Sequence, residues 1–142
     1  MKKKILVVED DGMVYKMLMK EIDQSLFDIS RVRAVDEAMG AIEEEGPFDC
    51  FVVDLWILAS GLTLEEMDEY YQREGYAFLK NHLWKDKTED EVKELKRKTI
   101  ICSRYVNEFK KDYRSEVEGL QMVLKDYKFE KKVAELVKKI CQ

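Results

Sequence analysis

Apolar residues in this chain gather into short unbroken runs, separated by polar stretches in which apolar positions recur at helical spacing. Ile5-Leu6-Val7-Val8, Phe51-Val52-Val53, Thr99-Ile100-Ile101-Cys102 and Leu120-Gln121-Met122-Val123-Leu124 are short and mostly rich in β-branched side chains, and they read as strands buried on both faces. Phe27 to Val32 instead alternates apolar with polar, the period of a half-buried edge strand. Met13, Met17, Leu18 and Ile22 predict a helix running to about Asp23, and Ala38, Ala41 and Ile42 predict a second from about Asp36. That second helix should stop after Glu43-Glu44-Glu45, at Gly46-Pro47. Val106 to Tyr113 predicts a further helix, and Phe129 to Ile140, with Val133, Leu136, Val137 and Ile140 on one side, an amphipathic last one.

The stretch between the third and fourth strands is longer than one crossover needs. Gly75 to about Trp84 reads as the third crossover helix. Thr63-Leu64-Glu65-Glu66 and Thr88-Glu89-Asp90-Glu91 are capping-box patterns that open two more short helices. The first of these falls in an insertion of about 59–74, with Leu64, Met67, Tyr70 and Tyr71 as its apolar side. The charged run from Lys85 to Lys98 reads as a solvated helix, and packing of Tyr70, Tyr71, Phe78 and Trp84 within this region is favoured over a partner-binding surface. Alternating strands and helices with short links predict right-handed crossovers and a parallel sheet covered on both faces. The whole of 1–142 then reads as a single domain, with its site at the carboxyl ends of the strands where strand order reverses.

Composition narrows the setting. The residues are 39% charged and 46% hydrophobic, ordinary for a globular domain, and a net charge of −5 argues against a nonspecific nucleic-acid binder. No apolar run approaches membrane-spanning length, and Lys2-Lys3-Lys4 reads as a solvated start to the first strand rather than a targeting segment. Three cysteines, Cys50, Cys102 and Cys141, lack metal-binding or redox-motif spacing. They suit a reducing cytoplasm, with Cys50 and Cys102 as small core residues. His82, the lone histidine, reads as a surface or half-buried packing residue.

What stands at the strand ends carries the chemistry. Glu9-Asp10-Asp11 follows the first strand, Asp54 the third, Ser103 the fourth and Lys125 the fifth. Glu9, Asp10 and Asp54 can hold Mg2+, which takes few carboxylates and keeps waters and phosphate oxygens. Asp54 can attack phosphorus to give an acyl phosphate, while Ser103 donates to one phosphoryl oxygen and Lys125 pairs with another. A purely structural acid cluster is disfavoured, because gathering three acids without a cation costs stability. A Mg2+-dependent phosphohydrolase is also disfavoured, since there is no separate general acid and no Asp-x-Asp motif at the strand end.

These residues, in Ile5-Leu6-Val7-Val8-Glu9-Asp10, Phe48-Asp49-Cys50-Phe51-Val52-Val53-Asp54, Ile100-Ile101-Cys102-Ser103 and Val123-Leu124-Lys125, resemble the receiver domain of two-component response regulators, here of the stand-alone, chemotaxis-receiver-like kind. The similarity spans nearly the whole chain apart from the insertion. It implies a flavodoxin-like, doubly wound α/β fold with five parallel strands in the order 2-1-3-4-5. It implies phosphorylation of Asp54 by a histidine kinase or phosphotransfer protein, with a downstream protein target, no direct nucleic-acid contact, and room for a homodimer. Such a domain is a phosphorelay acceptor and not an enzyme in the turnover sense. The resemblance further implies that Asp10 and Asp54 ligate Mg2+ directly, that Glu9 acts largely through water, and that the Trp56 backbone carbonyl adds a ligand.

Four positions depart from the family pattern. Leu58 replaces a proline after the phosphoacceptor, Arg104 replaces a small residue after Ser103, Met122 stands at the aromatic switch position, and Asp126 replaces the proline after Lys125. They bear on signal output more than on phosphoryl chemistry. Arg104 together with the insertion supports an alternative, a pseudo-receiver that binds a partner constitutively through the same fold. Trp56 and Tyr105 flank the approach of a hydrolytic water, and as bulky rings they predict slow loss of the phosphoryl group.

Overall fold

The computed structural model describes residues 2–55 and 78–142. Its strands are β1 (Lys3–Val8), β2 (Phe27–Val32), β3 (Cys50–Val53), β4 (Thr99–Ser103) and β5 (Gln121–Leu124). They form one sheet in the order β2-β1-β3-β4-β5, every neighbouring pair parallel. The helices are α1 (Gly12–Glu21), α2 (Val35–Glu45), α3 (Glu89–Arg97), α4 (Val106–Asp112) and α5 (Phe129–Ile140), with a π-helical turn at Leu79–Leu83. Both the expected strand order and the α/β architecture are found.

Strand alternation divides the apolar runs between two cores. Ile5, Val7, Cys50, Val52, Ile100, Cys102 and Val123 meet α1 and α5 on one face, through Val14, Leu18, Phe129, Val133 and Val137. Leu6, Val8, Phe51, Val53 and Ile101 point to the other, against Ala38, Ala41, Phe78, Leu79, Val106 and Phe109. This is why the central strands read as continuous apolar runs: each side chain has a helix to face.

The crossover to β4 differs from the expected helix over Gly75 to Trp84. Its described part winds more widely, with the Trp84 N–H donating to the Leu79 carbonyl at 2.7 Å, five residues back. A wider turn brings Leu79 and Trp84 onto one side, and both are buried, together with Phe78 and Leu83. An α-helical turn would set Leu79 and Trp84 on divergent sides. His82 is exposed on this turn, its ring 6.5 Å from that of Phe78. The Thr88 capping box is present, with Glu91 N donating to Thr88 Oγ1 and Thr88 N to Glu91 Oε1, each at 3.2 Å. The helix it opens, α3, buries none of its residues, as its run of charge predicts. The insertion of about 59–74, with its capping box at Thr63, lies outside the described residues, as do Trp56 and Leu58. Among the described residues no helix is long and apolar enough to cross a membrane.

Register places the strand ends side by side. Val8 pairs with Val53, Val53 with Ile101, and Ser103 with Leu124. The ladder continues one step beyond, with Asp54 N donating to Val8 O at 3.0 Å and Lys125 N to Ser103 O at 3.1 Å. A contrast between core and cap follows. Phe109 is fully buried, so Phe109→Ala should cost about 3–5 kcal/mol by urea unfolding. Thr88→Ala, which removes one exposed cap, should cost about 1 kcal/mol. A Thr88→Ala loss as large as that of Phe109→Ala would show that α3 contributes more to the fold than its exposure implies.

Candidate functional site

The sheet's carboxyl edge ends in polar residues that its own helices bury. Glu9 is 3% exposed, Asp54 5% and Ser103 0%. Glu9 N donates to Val32 O at 3.0 Å, extending β1 past its last apolar residue and fixing where the Glu9 side chain starts. Asp11, given no separate role in the sequence reading, is the N-cap of α1. Its Oδ1 accepts from Met13 N at 2.9 Å and Val14 N at 3.4 Å, anchoring the loop that holds Glu9 and Asp10. An acidic residue directly before Gly12 and an apolar helical period is the signal that identifies such a cap.

Lys125 joins the strand ends. Its Nζ lies 2.8 Å from Glu9 Oε2 and 2.8 Å from Asp54 Oδ2, so one ammonium bridges the acids of β1 and β3 from the end of β5. The other Glu9 oxygen accepts from Asp11 N at 3.1 Å. Ser103 Oγ accepts from Tyr105 N at 3.2 Å, which leaves the hydroxyl proton as a donor. Carboxylate oxygens of Glu9, Asp10 and Asp54 come within 4.8 Å of one another, an all-oxygen donor set that fits a small hard cation such as Mg2+.

A cavity of about 190 Å³ opens over this cluster, lined by Glu9, Asp10, Asp11, Val14, Asp54, Ser103, Arg104, Tyr105 and Lys125. The structure therefore brings together Glu9, Asp10, Asp54, Ser103, Lys125, Arg104 and Tyr105. It does not bring Met122 there. Met122 is half-buried and packs against the other core, beside Ile101. Trp56 is outside the described residues.

Charge in the cluster is only partly compensated. Burial, then the Asp54 charge, pushes the Glu9 carboxyl up to about 8, against the opposing pull of Lys125. The same two causes raise Asp10. Burial alone would lower Lys125, but the Asp54 and Glu9 carboxylates outweigh it and hold the amine protonated well above its ordinary range. Three acids share one ammonium, and burial favours a proton on one of them.

No protein-family model matches the chain, and a comparison with curated proteins finds no match. Comparison with solved structures does. A sensor protein from Polaromonas sp. JS666 superposes with a TM-score of 0.70 at 16% identity, over 99% of this chain and 97% of that one. A CheY-like response regulator receiver domain protein from Methanospirillum hungatei JF-1 gives 0.65 at 16% identity, over 99% and 94%. The phosphorylated cyanobacterial phytochrome response regulator RcpA gives 0.61 at 17% identity, over 99% and 89%. The chain has the fold of response regulator receiver domains along nearly its whole length.

The raised Glu9 carboxyl has a measurable sign. Its folded value lies above the ordinary 4.5, so its contribution to stability is fully present below about pH 4.5 and is lost as pH rises to about 8. Without divalent cations, wild type should therefore lose stability relative to Glu9→Gln across that window in urea titrations. A constant difference between the two proteins would mean that Glu9 is ionised throughout.

Proposed function

We propose that this chain is a phosphoacceptor receiver of a two-component system, in which Asp54 takes a phosphoryl group from a histidine kinase or phosphotransfer protein in a Mg2+-dependent reaction. The observation that carries this reading is the convergence of Glu9, Asp10, Asp54, Ser103 and Lys125 on one cavity at the carboxyl edge of a receiver-type sheet. In this reading a carboxylate oxygen of Asp54 attacks phosphorus as the bond to the donor's leaving group breaks. Mg2+, held by Glu9, Asp10 and Asp54 with the Trp56 carbonyl, would neutralise charge between the anionic nucleophile and the incoming group. Lys125 exchanges a carboxylate partner for a phosphoryl oxygen, and the Ser103 hydroxyl donates to another. The product stays on the protein, so the chain relays a signal to a protein target and does not turn over substrate. Cytoplasmic placement belongs to the same reading, as does a single receiver domain over 1–142.

Incubation with Mg2+ and a small acyl phosphate, followed by intact mass measurement, tests the proposal. One phosphoryl increment is expected in wild type, and none in Asp54→Asn or with chelator. No increment in wild type would leave the pseudo-receiver reading, in which the fold serves as a constitutive binding module.

Lifetime follows from what borders the cavity. Hydrolysis of an aspartyl phosphate needs a water in line behind phosphorus, and Tyr105 and Arg104 both line the space over Asp54. Neither side chain is a good base at neutral pH. Slow autodephosphorylation is expected, and Tyr105→Glu, which supplies a polar group, should speed decay of phospho-Asp54 about tenfold, a barrier change of about 1.4 kcal/mol. Unchanged decay would remove Tyr105 from the path of the water.

A further inference from the structure

The second cluster of reactive side chains lies at the opposite end of the sheet. A helix that follows the last parallel strand runs back against it, so α5 ends near the strands' amino ends, where Cys50 begins β3. Cys50 points to the face that α5 covers, and Cys141, the C-cap residue of α5, packs into the same core. Cys50 is fully buried, Cys141 is half-buried, and neither is bridged. Neighbouring charges agree on the location. Asp49 acts on both thiols, and Lys3 and Lys98, at the amino ends of β1 and β4, act on Cys141.

We propose that Cys50 and Cys141 form an oxidisable thiol pair, which a peroxide converts into an intramolecular disulfide joining the end of α5 to the start of β3. This site is independent of the proposed phosphoryl chemistry. The two thiols are in side-chain hydrogen-bonding contact with one another. The contact with Cys50 lowers the Cys141 thiol, whereas the contact with Cys141 and then burial raise Cys50 well above its ordinary value. Cys141, half-buried at the helix end, is the partner that a peroxide can reach, and Cys50, fully buried, is the shielded one. Cys141 gives up its proton, its sulfur attacks a peroxide oxygen, the O–O bond breaks, and the leaving hydroxide takes up that proton as water. Cys141 is then a sulfenic acid. The Cys50 sulfur attacks the Cys141 sulfur, the S–S bond forms, the S–O bond breaks, and the departing hydroxide takes the Cys50 proton as a second water. Two thiols lose two electrons, and one peroxide is reduced to two waters. Cys102, buried beside Ser103 and pushed up to about 12 by burial, is a poor competitor.

The full chain, treated with hydrogen peroxide at low molar excess and mapped without reduction, tests this. Expected are loss of two hydrogens from the intact mass, a cross-linked peptide pair containing Cys50 and Cys141, and reversal by dithiothreitol. Cys102→Ser should oxidise as wild type does, and Cys141→Ser, at a half-buried helix end, should show no loss of two hydrogens. Oxygen addition at Cys141 without a bridge would overturn the proposal, as would a bridge through Cys102 or between two molecules. The wild-type map decides on its own, so the outcome does not depend on how well either variant folds.

Discussion

Three carboxylates gathered at the edge of a parallel sheet repel one another, and the Lys125 ammonium is what lets them share it. Two contacts of 2.8 Å to acids on different strands place a full positive charge between β1 and β3. Burying such groups removes hydration from each, and attraction repays this only where geometry is good and the remaining oxygens are bonded. Glu9 meets that condition, with one oxygen on Lys125 and the other on Asp11 N. The cluster as a whole does not, because one cation faces three acids. Its residual negative charge is a standing cost to the fold, and its oxygens form a donor set of the kind a hard cation takes.

That balance depends on register. Lys125 reaches both acids because Val8, Val53, Ile101 and their neighbours pair so that four strands end together. A slip by one residue would move every side chain of a strand to the opposite face, exchanging the two cores and withdrawing the polar end. The apolar runs hold the register from both sides, since alternate residues fit different helices. Core packing here is therefore a positioning device as well as a source of stability.

Much of this was legible in the sequence. The strand ends were readable because each apolar run stops abruptly at a polar residue, and β2 because its alternation has the right period. Glu9, Asp10, Asp54, Ser103 and Lys125 were found by that rule, and the cavity unites them. What escaped depends on three-dimensional direction. Lys125 was expected to meet a phosphoryl oxygen, and which two acids it bridges follows only from side-chain reach across strands. The π-helical turn at Leu79–Leu83 arises from the need to bury Leu79 and Trp84 together, a demand set by the neighbouring core and invisible in local period. Cys50 was read correctly as a core residue, but its partner lies on the far end of the last helix, a proximity that only the crossover direction reveals.

The last helix links the two chemically distinct ends of the sheet. It begins shortly after Lys125 and ends at Cys141, and its apolar side is buried against α1 and the strands, which limits sliding or tilting of its body. Any change in how Lys125 divides itself between partners must be absorbed in the short connection, Asp126 to Lys128. That connection is already conformationally unusual. Lys128 holds φ at 64°, a left-handed conformation that costs a non-glycine residue about 1 kcal/mol or more, and Tyr127 beside it is 84% exposed. Between a buried helix and a charged bridge, this exposed connection with its left-handed residue is less constrained by packing than the helix that follows it. Half-buried Met122 on β5, where the resemblance placed a switch, is packed beside Ile101 and has less freedom to respond.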